Sequence, residues 1–163
     1  MIVQLRIDER LIHGQIVTAW SRALSVSMIV VANDEAANNQ MVTRALLMTA
    51  PGGMKVNIKT VEDTIRLLND PRAEAIRMLL IVDNPKDAIT LTKALNIKEV
   101  NVGNYLKKKS ADKVKLTNYV SADPEDLELF KELIDVGEHV FSQMIPSTQS
   151  TELSEILRKA TKD

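Results

Sequence analysis

"VQLRIDERLIHGQIVTAW", residues 3–20, changes its period once, and that change decides the fold. Val3, Leu5 and Ile7 alternate with Gln4 and Arg6, the two-residue period of a strand with one face more apolar than the other. Polarity rises at Asp8, Glu9 and Arg10. From Gly14 onward Ile16, Val17, Trp20 and Leu24 take the spacing of a helix that buries a single stripe. Strand, polar loop and helix in direct succession make the first half of a βαβ unit.

Working outward, "MIVVA" (Met28–Ala32) and "MLLIV" (Met78–Val82) are unbroken apolar runs, as parallel strands are when both faces are covered. Helix starts recur along the chain. Thr60 with Asp63 reads as a capping box, while Asn84-Pro85 and Asp123-Pro124 each join a capping side chain to proline at the first helical position. The helices so begun bury Val61, Ile65 and Leu68, then Ala88, Leu91 and Leu95, then Leu127, Phe130 and Leu133. Further strands are expected at 55–59, 99–102, 114–120 and 139–145, and a last helix at 151–159. No repeat, linker or low-complexity stretch interrupts the pattern. The expectation is the α/β class: a single domain over 1–163 with a mostly parallel, twisted sheet and helices packed on it.

Composition narrows the function. Twenty-one basic residues against 22 acidic ones leave a net charge of -1, which gives no electrostatic reason for a nucleic-acid or anionic-membrane partner. The run Lys107-Lys108-Lys109 is expected to be solvated loop. The absence of cysteine removes disulfides, thiolate chemistry and sulfur-ligated metal, in keeping with a reducing cytoplasm. "MIVQLRIDER" does not read as a signal peptide, and no apolar run approaches the roughly 20 residues that cross a bilayer, so a soluble protein is expected.

Ligands in such sheets are met outside the carboxyl ends of the strands, and Asp8 to His13 form the first loop there. Asn33-Asp34, Asp83-Asn84 and Gly103-Asn104 are placed to approach from neighbouring strand ends. His13 stands where a helix begins, with free N–H groups and a dipole that favour an anion. Arg10 adds a planar donor fork suited to phosphate oxygens, and Gly14 leaves the backbone bare beside the imidazole. Helix terminus and arginine both disfavour the imidazolium, which leaves a neutral, nucleophilic ring. P-loop, G-x-G-x-x-G and serine-elbow patterns do not occur. Periodicity alone fits equally well a His13 packed along the apolar stripe, with Glu9 and Arg10 paired in solvent. Asp8 reads as an orienting group for His13 or Arg10, Glu9 as a solvent-facing charge, Trp20 as core and His139 as structural or exposed. Two adjacent acids without spaced partners do not make a metal site.

The stretch "RIDERLIHGQIVTAW" closely resembles the amino-terminal signature of the enzyme IIB component of the mannose, fructose and sorbose family of the bacterial phosphoenolpyruvate-dependent sugar phosphotransferase system. "IVVANDEAANN", "MTAPGGMKVNI" and "VNVGN" are similar to later segments of that family, whereas "QMIPSTQS" carries little of it. The resemblance implies a phosphocarrier. His13 would accept a phosphoryl group on Nδ1 from a phosphohistidine of the IIA component and pass it to a sugar entering through a IIC/IID membrane permease. Arg10 would stabilise the group in transfer, and Leu11, Ile12, Gly14 and Gln15 would complete the phosphoryl-binding loop without metal or cofactor. A carrier visited by two partners needs a shallow, exposed His13. The competing reading from another class is a non-catalytic regulatory module that binds a phosphorylated metabolite or partner at the same loop.

Overall fold

The alternation expected from the sequence builds one large sheet, described in a computed structural model that covers residues 1–107 and 109–161. The chain runs β1 (Ile2–Asp8), α1 (Gly14–Leu24), β2 (Met28–Ala32), α2 (Asp34–Ala37), α3 (Gln40–Thr49), β3 (Lys55–Lys59), α4 (Val61–Leu68), a 3-10 turn (Pro71–Ala75), β4 (Met78–Val82) and α5 (Pro85–Leu95). It continues through β5 (Glu99–Asn104), β6 (Val114–Lys115), β7 (Ser121–Ala122), α6 (Pro124–Val136), β8 (His139–Ser142), β9 (Thr151–Glu152) and α7 (Leu153–Ala160).

The seven-stranded sheet has the order β3-β2-β4-β1-β5-β8-β9, parallel throughout except for the short β9, and β6 pairs with β7 in a separate antiparallel hairpin. Crossovers between parallel strands are right-handed, so the direction in which a connection travels decides the face its helix covers. The connections leaving β1 and β2 travel toward the β3 edge, and α1, α2 and α3 pack on one face around Val17, Trp20, Ile29, Val31, Leu79 and Ile81. Those leaving β3, β4 and β5 travel the other way. They bring α4, α5 and α6 onto the opposite face, over Leu5, Val30, Leu80, Val100, Phe130 and Leu133, where α7 joins them after β9. Adjacent strands β1 and β5 therefore send their chains to opposite faces, and a crevice opens between their carboxyl ends.

The caps behave largely as read. Thr60 Oγ1 accepts from the Asp63 N–H, Asn84 Oδ1 from the Asp87 N–H, and Asp123 forms a fully reciprocal box with Asp126. Three segments differ from expectation. The stretch 114–120 is not one strand: Thr117 Oγ1 accepts from the N–H groups of Tyr119 and Val120, and the chain turns back between β6 and β7. β8 ends at Ser142, because Gln143 leaves the ladder to bond the Asn101 side chain. Residues 151 and 152 form β9 before α7 begins.

Candidate functional site

Asp8 and Asn104 lie side by side at the ends of β1 and β5, and the Glu9 N–H donates to the Asn104 carbonyl at 3.0 Å. The first loop thus starts in the crevice. It turns at once: the Leu11 N–H donates to the Asp8 carbonyl at 2.9 Å, and Leu11 takes a left-handed φ of 59°. That conformation costs a residue with a Cβ about 1–2 kcal/mol. The side chains of Leu11 and Ile12, 7% and 4% exposed, pack with Val17 and Trp20, and burying each is worth about 1.5–3 kcal/mol. Burial wins, and the two residues anchor the loop from beneath, their side chains turned into the core.

What the anchored turn leaves outside is His13. Its side chain is exposed, its backbone is extended (φ -119°, ψ 110°), and it opens α1 as the capping residue without a side-chain cap. No acidic residue occupies the first turn of α1. Amide donors and the positive end of the helix therefore meet solvent beside the imidazole. Gln15 is exposed on the same turn. Gly14 has a reason the sequence did not suggest: a Cβ there would come within 3.2 Å of the Thr49 carbonyl at the end of α3.

Arg10 is held by Asp8 at three points. Its backbone N–H and Nε each donate to Asp8 Oδ1 at 3.0 Å, and Nη2 donates to Oδ2 at 3.1 Å. Of the two orienting roles read for Asp8, the contacts are with Arg10. A guanidinium has five donors, so this grip leaves Nη1 and the outer Nη2 hydrogen available as a fork. Asp8 itself is 1% exposed and faces a second guanidinium behind it, that of Arg6, also 1% exposed, whose Nε and Nη2 lie 3.4 Å from Oδ2. Burial lowers the Arg6 pKa to about 10 despite the counter-pull of Asp8, which still leaves a cation at neutral pH. Sequence reading missed Arg6, although its place two residues before Asp8 puts both on one face of β1.

Glu9 is not solvent-facing. Its carboxylate accepts from the N–H groups of Leu106 and Lys107 at 2.8 and 2.7 Å, which ties the first loop to the chain leaving β5. Lys107 departs from the expected solvated run as well, since Nζ pairs with Asp123 at 2.7 Å and Asp126 at 3.3 Å. The hydrogen bond that Nζ donates to Asp123 is the leading cause of its raised pKa. Lys109 is exposed, and Lys108 falls outside the described residues.

The other strand-end residues have separate duties. Asn33 caps α2, Asp34 accepts from the Val61 N–H at 2.8 Å, and Asp83 accepts from Asn84 Nδ2 at 2.7 Å. Trp20 is core, 4% exposed, its indole N–H donating to the Met144 carbonyl at 3.0 Å. His139 lies at the opposite end of the sheet, between Glu99 and Glu152. A cavity of about 600 Å³ opens at that end too, lined by Met1, Asp70, Lys98 and Glu99 among others, and His13 is not part of it. Among the described residues no group of three or more His, Asp or Glu is placed to hold a metal ion, and no helix is long and apolar enough to cross a membrane.

Comparison with known proteins agrees with this architecture. The solved IIBSor domain of the sorbose permease from Klebsiella pneumoniae superposes with a TM-score of 0.89 at 30% identity, over 98% of this chain and 97% of that one. A probable phosphotransferase enzyme IIB component from Streptococcus pyogenes serotype M6 is 42% identical over 164 residues, covering 96% of this chain and 99% of its own. The mannose-specific EIIAB component of Escherichia coli K12 is 32% identical over 99% of this chain, which spans 50% of that longer protein. The model of the family described as PTS system sorbose subfamily IIB component matches residues 2–163, and with the fold agreeing over 98% of the chain, the chain belongs to this family.

Proposed function

We propose that this chain is a cytoplasmic phosphohistidine carrier. It accepts a phosphoryl group on His13 from a phosphorylated IIA component and delivers it to a sugar entering through a IIC/IID membrane permease, with residues 1–163 acting as one carrier domain. The observation that carries the proposal is the exposed His13 at the uncapped start of α1, next to an Arg10 that Asp8 grips on one edge only. Two relatives support the partners: one joins A and B components in a single EIIAB protein, and the other is named as part of a sorbose permease.

The chemistry follows from those groups. The lone pair of His13 Nδ1, the atom the family resemblance implies, forms a bond to phosphorus as the N–P bond of the donor breaks. The donor ring, protonated on its other nitrogen, leaves as neutral imidazole, and His13, which keeps its Nε2 proton, becomes the phosphoimidazolium. In the second step a sugar hydroxyl oxygen attacks phosphorus, its proton passes to a base or water outside this chain, and His13 leaves in its turn. Phosphoryl transfer asks for in-line positioning and neutralisation of three equatorial oxygens. The free fork of Arg10 and the first-turn amides of α1 supply both. Because donor and acceptor are both imidazoles, the first step is nearly symmetric and reversible.

Intact-mass measurement after incubation with phosphorylated IIA tests the reading. The parent should gain one phosphoryl group, labile to acid and stable to base, and His13→Ala should gain none while keeping its fold. A label recovered on His139, or binding without any covalent gain, refutes the proposal; the second outcome is that of a regulatory binding module.

A further inference from the structure

Arg6 is a buried cation that the transfer mechanism above does not use. Its Nη1 donates to the Gln143 carbonyl at 3.2 Å, its Nη2 lies 3.6 Å from the Met144 sulfur, and its guanidinium carbon sits 6.0 Å from the centre of the Trp20 ring. On β5 the sheet makes room for it with Gly103, where any Cβ would lie about 2.1 Å from the guanidinium carbon. Glycine inside a strand weakens it, and buried ion pairs seldom stabilise more than an apolar side chain of the same size. Stability alone does not account for the arrangement.

Charge accounts for it. With Asp8 as its only neighbour, Arg10 would form a closed, neutral pair and offer little stabilisation to the charge on a phosphoryl group in transfer. Arg6 gives Asp8 a second cation from behind, so the trio carries a net positive charge whose free end is Arg10. The geometry points to Arg6 as a positioning residue for phosphoryl transfer, acting through Asp8 to leave Arg10 its charge and its outer donor fork. This rests on the reading of His13 as the phosphoryl acceptor.

A double-mutant cycle on the rate of transfer from phosphorylated IIA tests it. Arg6→Met should slow transfer by roughly 10- to 100-fold where Arg10 is present, the worth of about one charge-assisted hydrogen bond. In an Arg10→Gln background the same substitution should cost less than about 3-fold, because residues acting through one another are not additive. The loss should fall on kcat and leave KM for phosphorylated IIA unchanged, since Arg6 reaches no surface a partner touches. Gly103→Ala keeps every charge and displaces the guanidinium, so it runs the same cycle should Arg6→Met fold poorly. Equal slowing by Gly103→Ala in both backgrounds, or by Arg6→Met where it folds, overturns the proposal and leaves Arg6 a structural residue. Failure of the unsubstituted protein to take label on His13 at all would instead refute the acceptor reading.

Discussion

His139→Gln should destabilise the protein in a pH-dependent way while leaving phosphoryl acceptance untouched. The imidazole donates from both sides when protonated, Nδ1 to Glu99 on β5 at 2.7 Å and Nε2 to Glu152 on β9 at 2.8 Å, so it pins the edge of the sheet across three strands. Burial works against its charge, but hydrogen bonds to Glu99 and Glu152 outweigh it, and the pKa is raised above the ordinary 6.5. A raised folded-state pKa gives stabilisation that is full below the unfolded value and is lost as pH rises through the folded one. Its size is modest. The three side chains are 41%, 45% and 53% exposed, which puts each pair among surface ion pairs of about 0.2–1 kcal/mol after screening. Two such pairs are worth about 1 kcal/mol, or roughly 2–4 °C in melting temperature for a chain of this length. Thermal melts of parent and variant from about pH 5.5 to pH 9 should show that gap near the acidic end and its closure toward the alkaline end. A gap that stays constant, or widens as pH rises, would refute the assignment of His139 as a protonated clamp.

Arg10→Lys should slow transfer by about one to two orders of magnitude, since an ammonium lacks the fork that serves both Asp8 and a phosphoryl oxygen. Rapid-quench rates check this, and parity with the parent would dismiss the bidentate role. Ser25, exposed, closes α1 with a left-handed φ of 53°, so Ser25→Gly should raise stability by about 1 kcal/mol in denaturant titration. Chelator should leave transfer from IIA unchanged, and isothermal calorimetry with free hexose should show no saturable binding to the isolated chain.

The fold was legible wherever period and burial agree. β1, β2 and β4, with the helices opened by Thr60, Asn84 and Asp123, were read from alternation, apolar runs and caps that the structure uses for the same purposes. α3 was not, because it has no fully buried residue, and Met41 and Met48 are 81% and 86% exposed, so its apolar stripe does not mark one face. In 114–117 apolar and polar residues alternate as in a strand, and the turn that follows is closed by the Thr117 hydroxyl and by backbone bonds from Leu116 and Thr117 to the Val120 carbonyl. The same limits hold at the site. Exposed His13 and Arg10 announce themselves by residue type. The alternation that finds β1 puts Arg6 on its less apolar face and says nothing of what covers that face; neither face meets solvent from Gln4 to Asp8, because α1 and the chain around Gln143 cover the polar row. Glu9 was misread for a related reason: its partners are backbone amides nearly a hundred residues away, and side-chain chemistry gives no sign of them.

The central place of β1 also has a consequence for when the molecule becomes itself. Leu5 pairs with Leu80 on one side and Val100 on the other, so β1 is made before either neighbour, pairs first when β4 has left the ribosome and is enclosed only when β5 follows. Until then Arg6 and Asp8 lack the strands between which the folded chain buries them. The junction of Glu9 with Asn104 and Lys107 closes only after that. Under the proposed function, competence to receive a phosphoryl group therefore arrives only once β1, β4 and β5 have all been made, and a chain stalled before β5 carries His13 without the junction that shapes its loop.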